Sequence, residues 1–330
     1  MSVRRIDAVL ECEAPQRLDR ALLPLIKAAH PLMTRSQLER WIEDGLVTVG
    51  GTVVLKGSMM VKSGLQVGIV IPESYGAPMT AESGDLEILH EDESLIVLNK
   101  PAGIAMHPGA GNRSRSIANI LLPKLEASGW KDPQRPGIVH RLDKDTTGVV
   151  VVAKNVGVHA ALAAQFSERS VDRQYVALAL SKPRKPSFDG IDEGSIDAPI
   201  GRDQRDRRKM AVVTTESGKR AITNWRVIER MEYAVLLSLK LGTGRTHQIR
   251  VHLAAKGSPV LGDRTYGDHR ILPRELARAA VEFGRQALHA ATLGFTHPVT
   301  SKRLHFEAAA PADFEQLVER FRSVGSEHGA

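Results

Sequence analysis

The sequence predicts an α+β fold, a mixed and largely antiparallel sheet preceded by a small module of two helices and a β-hairpin. Three observations carry this. Strand-like segments, alternating or continuously apolar, dominate the chain after residue 86, and helical segments interrupt them irregularly. No βαβ period is present, which argues against a doubly wound nucleotide-binding sheet. The chain has 330 residues, more than one typical domain, and 42% of them are hydrophobic, enough for a sizeable core.

The elements follow in order. From 17 to 29, Leu18, Ala21, Leu22, Leu25 and Ala29 recur at helical spacing. Thr34 and Gln37 have the spacing of a capping box, Leu38, Trp41 and Ile42 form the apolar stripe of a second helix, and Gly45 ends it. "LVTVGGTVVLK" alternates on either side of Gly50-Gly51, a pair suited to a type I′ hairpin turn. "VKSGLQVGIVIPE" adds a strand, so residues 14–75 make one module. The small, polar, aperiodic stretch "PESYGAPMTAESGD" supplies a linker at 76–85.

The larger domain is expected over 86–323. It opens with strands "LEILHED" and "SLIVLNKP" and the loop "GIAMHPGAGNRSRS". "HRLDKDTTGVVVVAKN" then runs from a charged knot into four consecutive valines. "VHAALAAQFSER" reads as a helix, "RQYVALAL", "KRAITNWRVIER" and "YAVLLSLKLGTGR" as strands, and "THQIRVHLAAKG" as a helix ended by Gly257. Helix "PRELARAAVEFG", strands "ALHAATLGF" and "RLHFEAA" and helix "PADFEQLVERFR" complete the chain, with a disordered tail at 324–330.

Composition narrows the function. Lys and Arg number 45 against 38 Asp and Glu, a net charge of +7 that favours a polyanionic partner. One cysteine, Cys12, excludes an intramolecular disulfide and a thiolate-rich zinc site. The first fifteen residues hold no apolar run of signal-peptide length, and the longest aliphatic stretch, 149–153, is far short of the roughly 20 residues that span a bilayer. The expectation is a cytoplasmic protein, with RNA ahead of a membrane as partner.

Several chemistries are absent from the motifs. There is no G-x-x-x-x-G-K-[ST] phosphate loop, and "GTGRTH" lacks the third glycine of a dinucleotide loop. His247 and His252 are five apart, off the four-residue spacing of paired helical metal ligands, and no H-E-x-x-H occurs. What remains is a set of separated polar elements. In "HRLDKD", Asp143 lies two residues from Arg141 and beside Lys144, cations that favour the ionised carboxylate. Tyr175 interrupts an apolar strand with a ring able to stack on a base. Arg245 and Ile249, four apart, would share one helix face, with His252 a turn further. Taken singly, each has a plain alternative: a surface ion pair, a core tyrosine, a helix-start arginine.

Taken together, and in this order, "PGIVHRLDKDTTGVVVVAKN", "RQYVAL" and "TGRTHQIRVHL…GSPVLGDRTYG" resemble the three motif regions of the RluA family of pseudouridine synthases. "NKPAGIAMHPGAGN" and "RQALHA" fit the same family. "RLDRAL", "TRSQLERWIEDGLVTVGG" and "VKSG" resemble the S4 RNA-binding domain that many members carry, with Gly50 where the S4 hairpin often has Asn. The resemblance spans about residues 12–322.

It implies a pseudouridine synthase fold and the isomerisation of uridine to pseudouridine, without metal or other cofactor. Asp143 matches the catalytic aspartate. Tyr175 matches the tyrosine that stacks on the target uracil, Arg245 the basic residue that pairs with the aspartate, and Ile249 the aliphatic residue near the base. Arg141 matches the arginine that holds RNA around the flipped nucleotide. Asp145 is left to scaffold the turn, bonding backbone N–H groups. Arg202, Arg205, Arg207, Arg208 and Lys209 are expected to contact RNA phosphates, and Arg17, Arg20, Arg35, Arg40 and Lys56 to serve the S4 module. "HPGAGN" and the S4 module most resemble the RluD type, which implies a monomer acting on 23S rRNA or the large-subunit precursor at helix 69. The alternatives are other rRNA or tRNA uridines, or a non-catalytic rRNA-binding or assembly factor.

Overall fold

The computed structural model describes residues 4–29, 33, 35–71, 79–108, 115–130, 136–183, 188, 190–206 and 209–326. The chain divides into two compact units, Met1–Pro78 and Met79–Ala330.

The first unit contains β1 (Arg4–Val9), β2 (Gln16–Arg17), α1 (Leu18–Ala29), α2 (Arg35–Glu43), β3 (Val47–Val49), β4 (Thr52–Val53), β5 (Met60–Val61) and β6 (Gln66–Ile71). A sheet in the order β1-β6-β3-β4 forms one layer. The apolar stripes read from the sequence close its core: Leu18, Leu22 and Ile26 of α1 and Leu38, Trp41 and Ile42 of α2 are buried with Val47, Val67 and Ile69. Gly50 and Gly51 both have positive φ, 57° and 79°, the backbone a type I′ turn requires. Strand β1 pairs with β6 along its whole length, so the unit starts before residue 14, where the sequence reading began it. Thr34, half of the expected capping box, lies outside the described residues.

The second unit contains β7 (Glu87–Glu91), β8 (Leu95–Lys100), α3 (Ile117–Ala127), β9 (Thr147–Ala153), α4 (Val156–Glu168), β10 (Asp172–Leu180), β11 (Glu193–Asp197), β12 (Ile200–Arg202), β13 (Met210–Val212), β14 (Ile222–Arg230), β15 (Ala234–Leu241), α5 (Gln248–Ala255), α6 (Arg274–Phe283), β16 (Leu288–Thr296), β17 (Arg303–Glu307) and α7 (Ala312–Ser326). Among the described residues its main sheet runs β11-β14-β15-β10-β16-β9-β8-β7, with β17 against β16. Only β9 and β16 pair in parallel there; the other ladders are antiparallel. This is the mixed, largely antiparallel sheet the sequence predicts.

The valine run now has a cause. Val150 and Val152 face one core with Ile96, Leu98 and α3, while Val149 and Val151 face the other with Leu95, Val97 and α4. A strand covered on both faces has no polar side to alternate with. Each buried valine is worth about 1.5–3 kcal/mol, so β9 is a rigid base for the loop before it.

Five elements differ from the sequence reading. Helix α3 was not anticipated; Ser116 and Asn119 close a capping box at its start. Strands β11, β12 and β13 lie where only a loop was expected. At the end of the chain, α7 continues to Ser326 because Phe314, Leu317, Val318 and Phe321 are buried, so the expected tail at 324–330 begins as helix. No helix among the described residues is long and apolar enough to cross a membrane.

Candidate active site

The loop that carries Asp143 is fixed from three sides. His140 is half-buried; its Nε2 accepts from the Val151 N–H at 3.1 Å, and its ring stacks on Phe166 at 4.5 Å. Burial drives its pKa down to about 3, so it stays neutral and can accept. Lys100, fully buried at the end of β8, donates from Nζ to the carbonyls of Pro101, Ile104 and Lys144, each at 2.8 Å. Burial lowers its pKa to about 7, against the pull of Asp145 and Asp143. Three acceptors need three N–H hydrogens, which only the ammonium has, so the geometry calls for the charged form. From the far side, Arg285 Nη1 donates to the Asp145 carbonyl at 3.4 Å and Gln286 Nε2 to Thr146 Oγ1 at 2.9 Å.

Asp145 differs from expectation. Its carboxylate receives no backbone N–H among the described residues. The Thr146 N–H closes the turn on the Asp143 carbonyl instead, and the Asp145 charge acts on buried Lys100.

Asp143 itself is part-exposed at a cavity of about 640 Å³. The loop 138–143, Phe166 and Arg169 of the α4 end, Arg173 and Tyr175 of β10, and the segment 241–250 line it. Oδ2 of Asp143 accepts from Arg250 Nη1 at 3.0 Å. Arg250 is held in turn by a bidentate pair with Asp263, Nε to Oδ2 at 2.7 Å and Nη2 to Oδ1 at 2.9 Å. Asp263 Oδ1 also accepts the N–H groups of Thr265 and Tyr266. Burial alone would lower the Arg250 pKa, but the two carboxylates outweigh it and raise it further. Asp143 is thus anchored by a cation that is itself locked.

The partner of Asp143 is therefore Arg250, not Arg245 as the sequence reading assigned. Helix α5 begins only at Gln248, after a left-handed residue at His247, so Arg245 precedes the helix and does not share a face with Ile249. Arg245 still lines the cavity, with Nε donating to the Arg220 carbonyl at 3.2 Å. His252 points away from it. Fully buried, it bridges Thr223 Oγ1 and the Ala198 carbonyl, each at 2.9 Å.

The structure gathers Arg141, Asp143, Tyr175, Arg245 and Ile249 around one cavity. Tyr175 is 6% exposed and follows a register shift in the pairing of β10 with β16, a bulge that re-aims a side chain. Burial raises its pKa, Arg173 opposing, so its hydroxyl stays protonated. Ile249 is buried beside it.

Arg202, Arg205 and Lys209 lie outside that lining, around the β12–β13 hairpin; Arg207 and Arg208 lie outside the described residues. In the first unit Arg17 and Arg35 both donate to Asp19, at 2.9 and 2.6 Å, Arg20 and Lys56 are exposed, and the Arg40 side chain is outside the described set. Burial works against ionisation of Asp19, but the two guanidiniums hold its pKa at about 2. The first unit thus ties two arginines expected to meet RNA to one buried carboxylate.

Sequence reasoning missed Lys100, Arg173, His247, Arg250, Asp263 and Tyr266. The signal for Arg250 was present: an arginine inside the apolar run of "QIRVHL" needs a buried carboxylate. Five arginines (141, 169, 173, 245 and 250) and a single carboxylate line the cavity, a field suited to a polyanion. Among the described residues no group of three or more His, Cys, Asp or Glu is placed to hold a metal ion.

Comparison with known proteins agrees with this chemistry. Residues 94–255 match the RNA pseudouridylate synthase family and residues 16–67 the S4 domain. The RNA pseudouridine synthase YlyB of Bacillus subtilis is 41% identical over 88% of this chain and 91% of its own. The ribosomal large subunit pseudouridine synthase D of Zymomonas mobilis is 41% identical over 91% of this chain and 92% of its own. Its namesake from Pseudomonas aeruginosa is 41% identical over 93% and 92%. Among solved structures, human RNA pseudouridylate synthase domain containing 4 aligns with a TM-score of 0.56 at 27% identity, over 72% of this chain and 93% of its own. With such identity along nearly its whole length, and an anchored carboxylate lining a cationic cavity, the chain belongs to the RNA pseudouridine synthases, a family of isomerases.

Proposed function

We propose that this protein converts uridine to pseudouridine in the large-subunit ribosomal RNA, at uridines of the helix 69 stem-loop, with Asp143 as the reacting group. The observation that carries the reading is Asp143 itself. One oxygen is anchored to Arg250 and the other is open to a cavity walled by Tyr175 and Ile249. The large-subunit assignment rests on the relatives named for that substrate, 41% identical over nine-tenths of the chain.

The reaction is an isomerisation. The N1–C1′ bond breaks with its electron pair going to uracil N1, the uracil turns, and C5 bonds to C1′. C5 then releases its proton, N1 ends protonated, and no atom or electron is gained. A carboxylate at the ribose acts as nucleophile at C1′ or as base at C2′. Tyr175 stacks on the uracil and Ile249 packs against it, retaining the base while it turns. The uridine enters by flipping out of its stack, at a cost of a few kcal/mol offset by these contacts. Arg141 and Arg245 hold the adjoining phosphates. Arg202, Arg205, Arg207, Arg208 and Lys209, with Arg17, Arg20, Arg35, Arg40 and Lys56 in the S4 domain, position the RNA beyond the pocket.

Two measurements test this. Asp143→Ala should abolish pseudouridine formation and leave RNA affinity within a few-fold. Its melting temperature should stay close to that of the unaltered protein, because Arg250 keeps Asp263. Retained modification would overturn the role of Asp143. Mapping pseudouridines in cells lacking the protein should show the loss in helix 69; loss confined to tRNA or to another rRNA site would overturn the substrate.

A further inference from the structure

His247 and Asp143 face each other across a gap at the cavity wall. Nε2 of His247 lies 4.0 Å from Oδ1 of Asp143, too far for a hydrogen bond, and both side chains are partly exposed. The hydrogen on the imidazole is fixed by a relay. Tyr266 Oη accepts the Met210 N–H at 2.9 Å and lies 2.9 Å from His247 Nδ1. Among the described residues Nδ1 is the acceptor within reach of the Tyr266 hydroxyl, and with that bond made the neutral ring carries its hydrogen on Nε2. Burial holds the imidazole pKa below its ordinary value, with Asp143 opposing, which keeps the ring neutral.

The backbone adds a second observation. His247 has φ 56°, a left-handed conformation that favours Gly or Asn, and its side chain makes no capping bond to α5. The ring therefore serves no cap, and it is left facing the cavity. The ring is explained by what it faces.

A donor and an acceptor 4.0 Å apart are bridged by one group that accepts from the first and donates to the second, about 2.8 Å from each. A hydroxyl does both. With C1′ of the target nucleotide against Asp143, the nearest hydroxyl is on C2′, and it is the group that distinguishes RNA from DNA. We propose that His247 and Asp143 together read the ribose 2′-hydroxyl of the target nucleotide, His247 donating its Nε2–H and Asp143 Oδ1 accepting the hydroxyl hydrogen. The proposal rests on the activity given under Proposed function. Tyr266 is its positioning residue, since it sets the tautomer and ties it to the β12–β13 hairpin.

The test uses the full-length protein and two RNA stem-loops carrying the modified site, identical except for a single 2′-deoxyuridine at the target. Turnover and affinity are measured for the unaltered protein, His247→Asn and Tyr266→Phe. Asn tolerates the left-handed backbone and is too short to span the gap. The unaltered protein should favour the ribo substrate by at least about tenfold. His247→Asn should lose that factor on the ribo substrate alone, bringing the ratio near one, and Tyr266→Phe should lower the ratio part of the way. Equal handling of both substrates by the unaltered protein, or an equal loss on both in His247→Asn, overturns the proposal. Inactivity of the unaltered protein on both counts against the activity itself, while the ratio of affinities still decides the role of His247.

Discussion

Arg250 and Arg245 stand five residues apart in one motif, and burial separates their work. Arg250, 7% exposed, balances Asp143 and the fully buried Asp263 at once. Arg245 precedes the helix, and among the described residues its guanidinium bonds only the Arg220 backbone carbonyl. Arg250→Ala should therefore remove activity and also cost about 3–5 kcal/mol, because Asp263 is left as an unpaired buried carboxylate. Arg245→Ala should change stability by less than about 1 kcal/mol and act on RNA turnover through KM. Thermal denaturation and steady-state assays of the two variants check this; equal destabilisation would contradict the assignment. From sequence the two arginines look alike, since both are cations near a histidine. Partner identity depends on Asp263, thirteen residues on from Arg250, and on the left-handed turn at His247 that resets the helical phase.

At the scale of elements, the site depends on one parallel contact in an otherwise antiparallel sheet. Thr147 and Gly148 of β9 pair with His289 and Ala290 of β16, and Thr147 Oγ1 bonds His289 Nδ1 at 2.8 Å. Gly148 has φ 119°, and a Cβ there would come within 2.2 Å of the Ala290 carbonyl oxygen. Gly148→Ala must push β16 from β9 just where the Asp143 loop enters the strand. A loss of about 3 kcal/mol with a fall in kcat is expected, read by denaturant unfolding and single-turnover assays; an unchanged midpoint would refute the packing argument. Helix α5 shows the same economy. Gln248 takes hydrogen bonds from Thr243 Oγ1 and the Arg245 N–H, and gives them to the Ile222 carbonyl and Thr223. The polar letters of "GTGRTHQIRVH" are thus divided between anchoring the helix and facing the cavity. Periodicity found the helix, but it could not divide those letters, because both kinds are polar.

At the scale of the molecule, each unit has its own apolar core, one around Leu22, Ile42 and Ile69 and another around the main sheet. Deleting residues 1–78 should leave a folded second unit that retains its cavity. Such a truncation should modify a short stem-loop at a rate close to that of the full chain, yet bind long rRNA more weakly and with a shallower salt dependence. Affinity titrations at two salt concentrations measure this, and unchanged binding of long rRNA would remove the docking role from the S4 domain.

The sequence by itself determined the layers, the two apolar stripes of the first unit, the doubly buried valine strand and the cavity-lining set of Arg141, Asp143, Tyr175, Arg245 and Ile249. These follow from local periodicity and from motifs whose letters are contiguous. Only the tertiary structure decided that Arg250 holds Asp143, that Lys100 braces its loop and that Tyr266 orients His247. Each of these is a contact between residues distant in the chain or on opposite sides of a turn. Such contacts are fixed by strand order and by the burial of charge, neither of which is written in the local pattern.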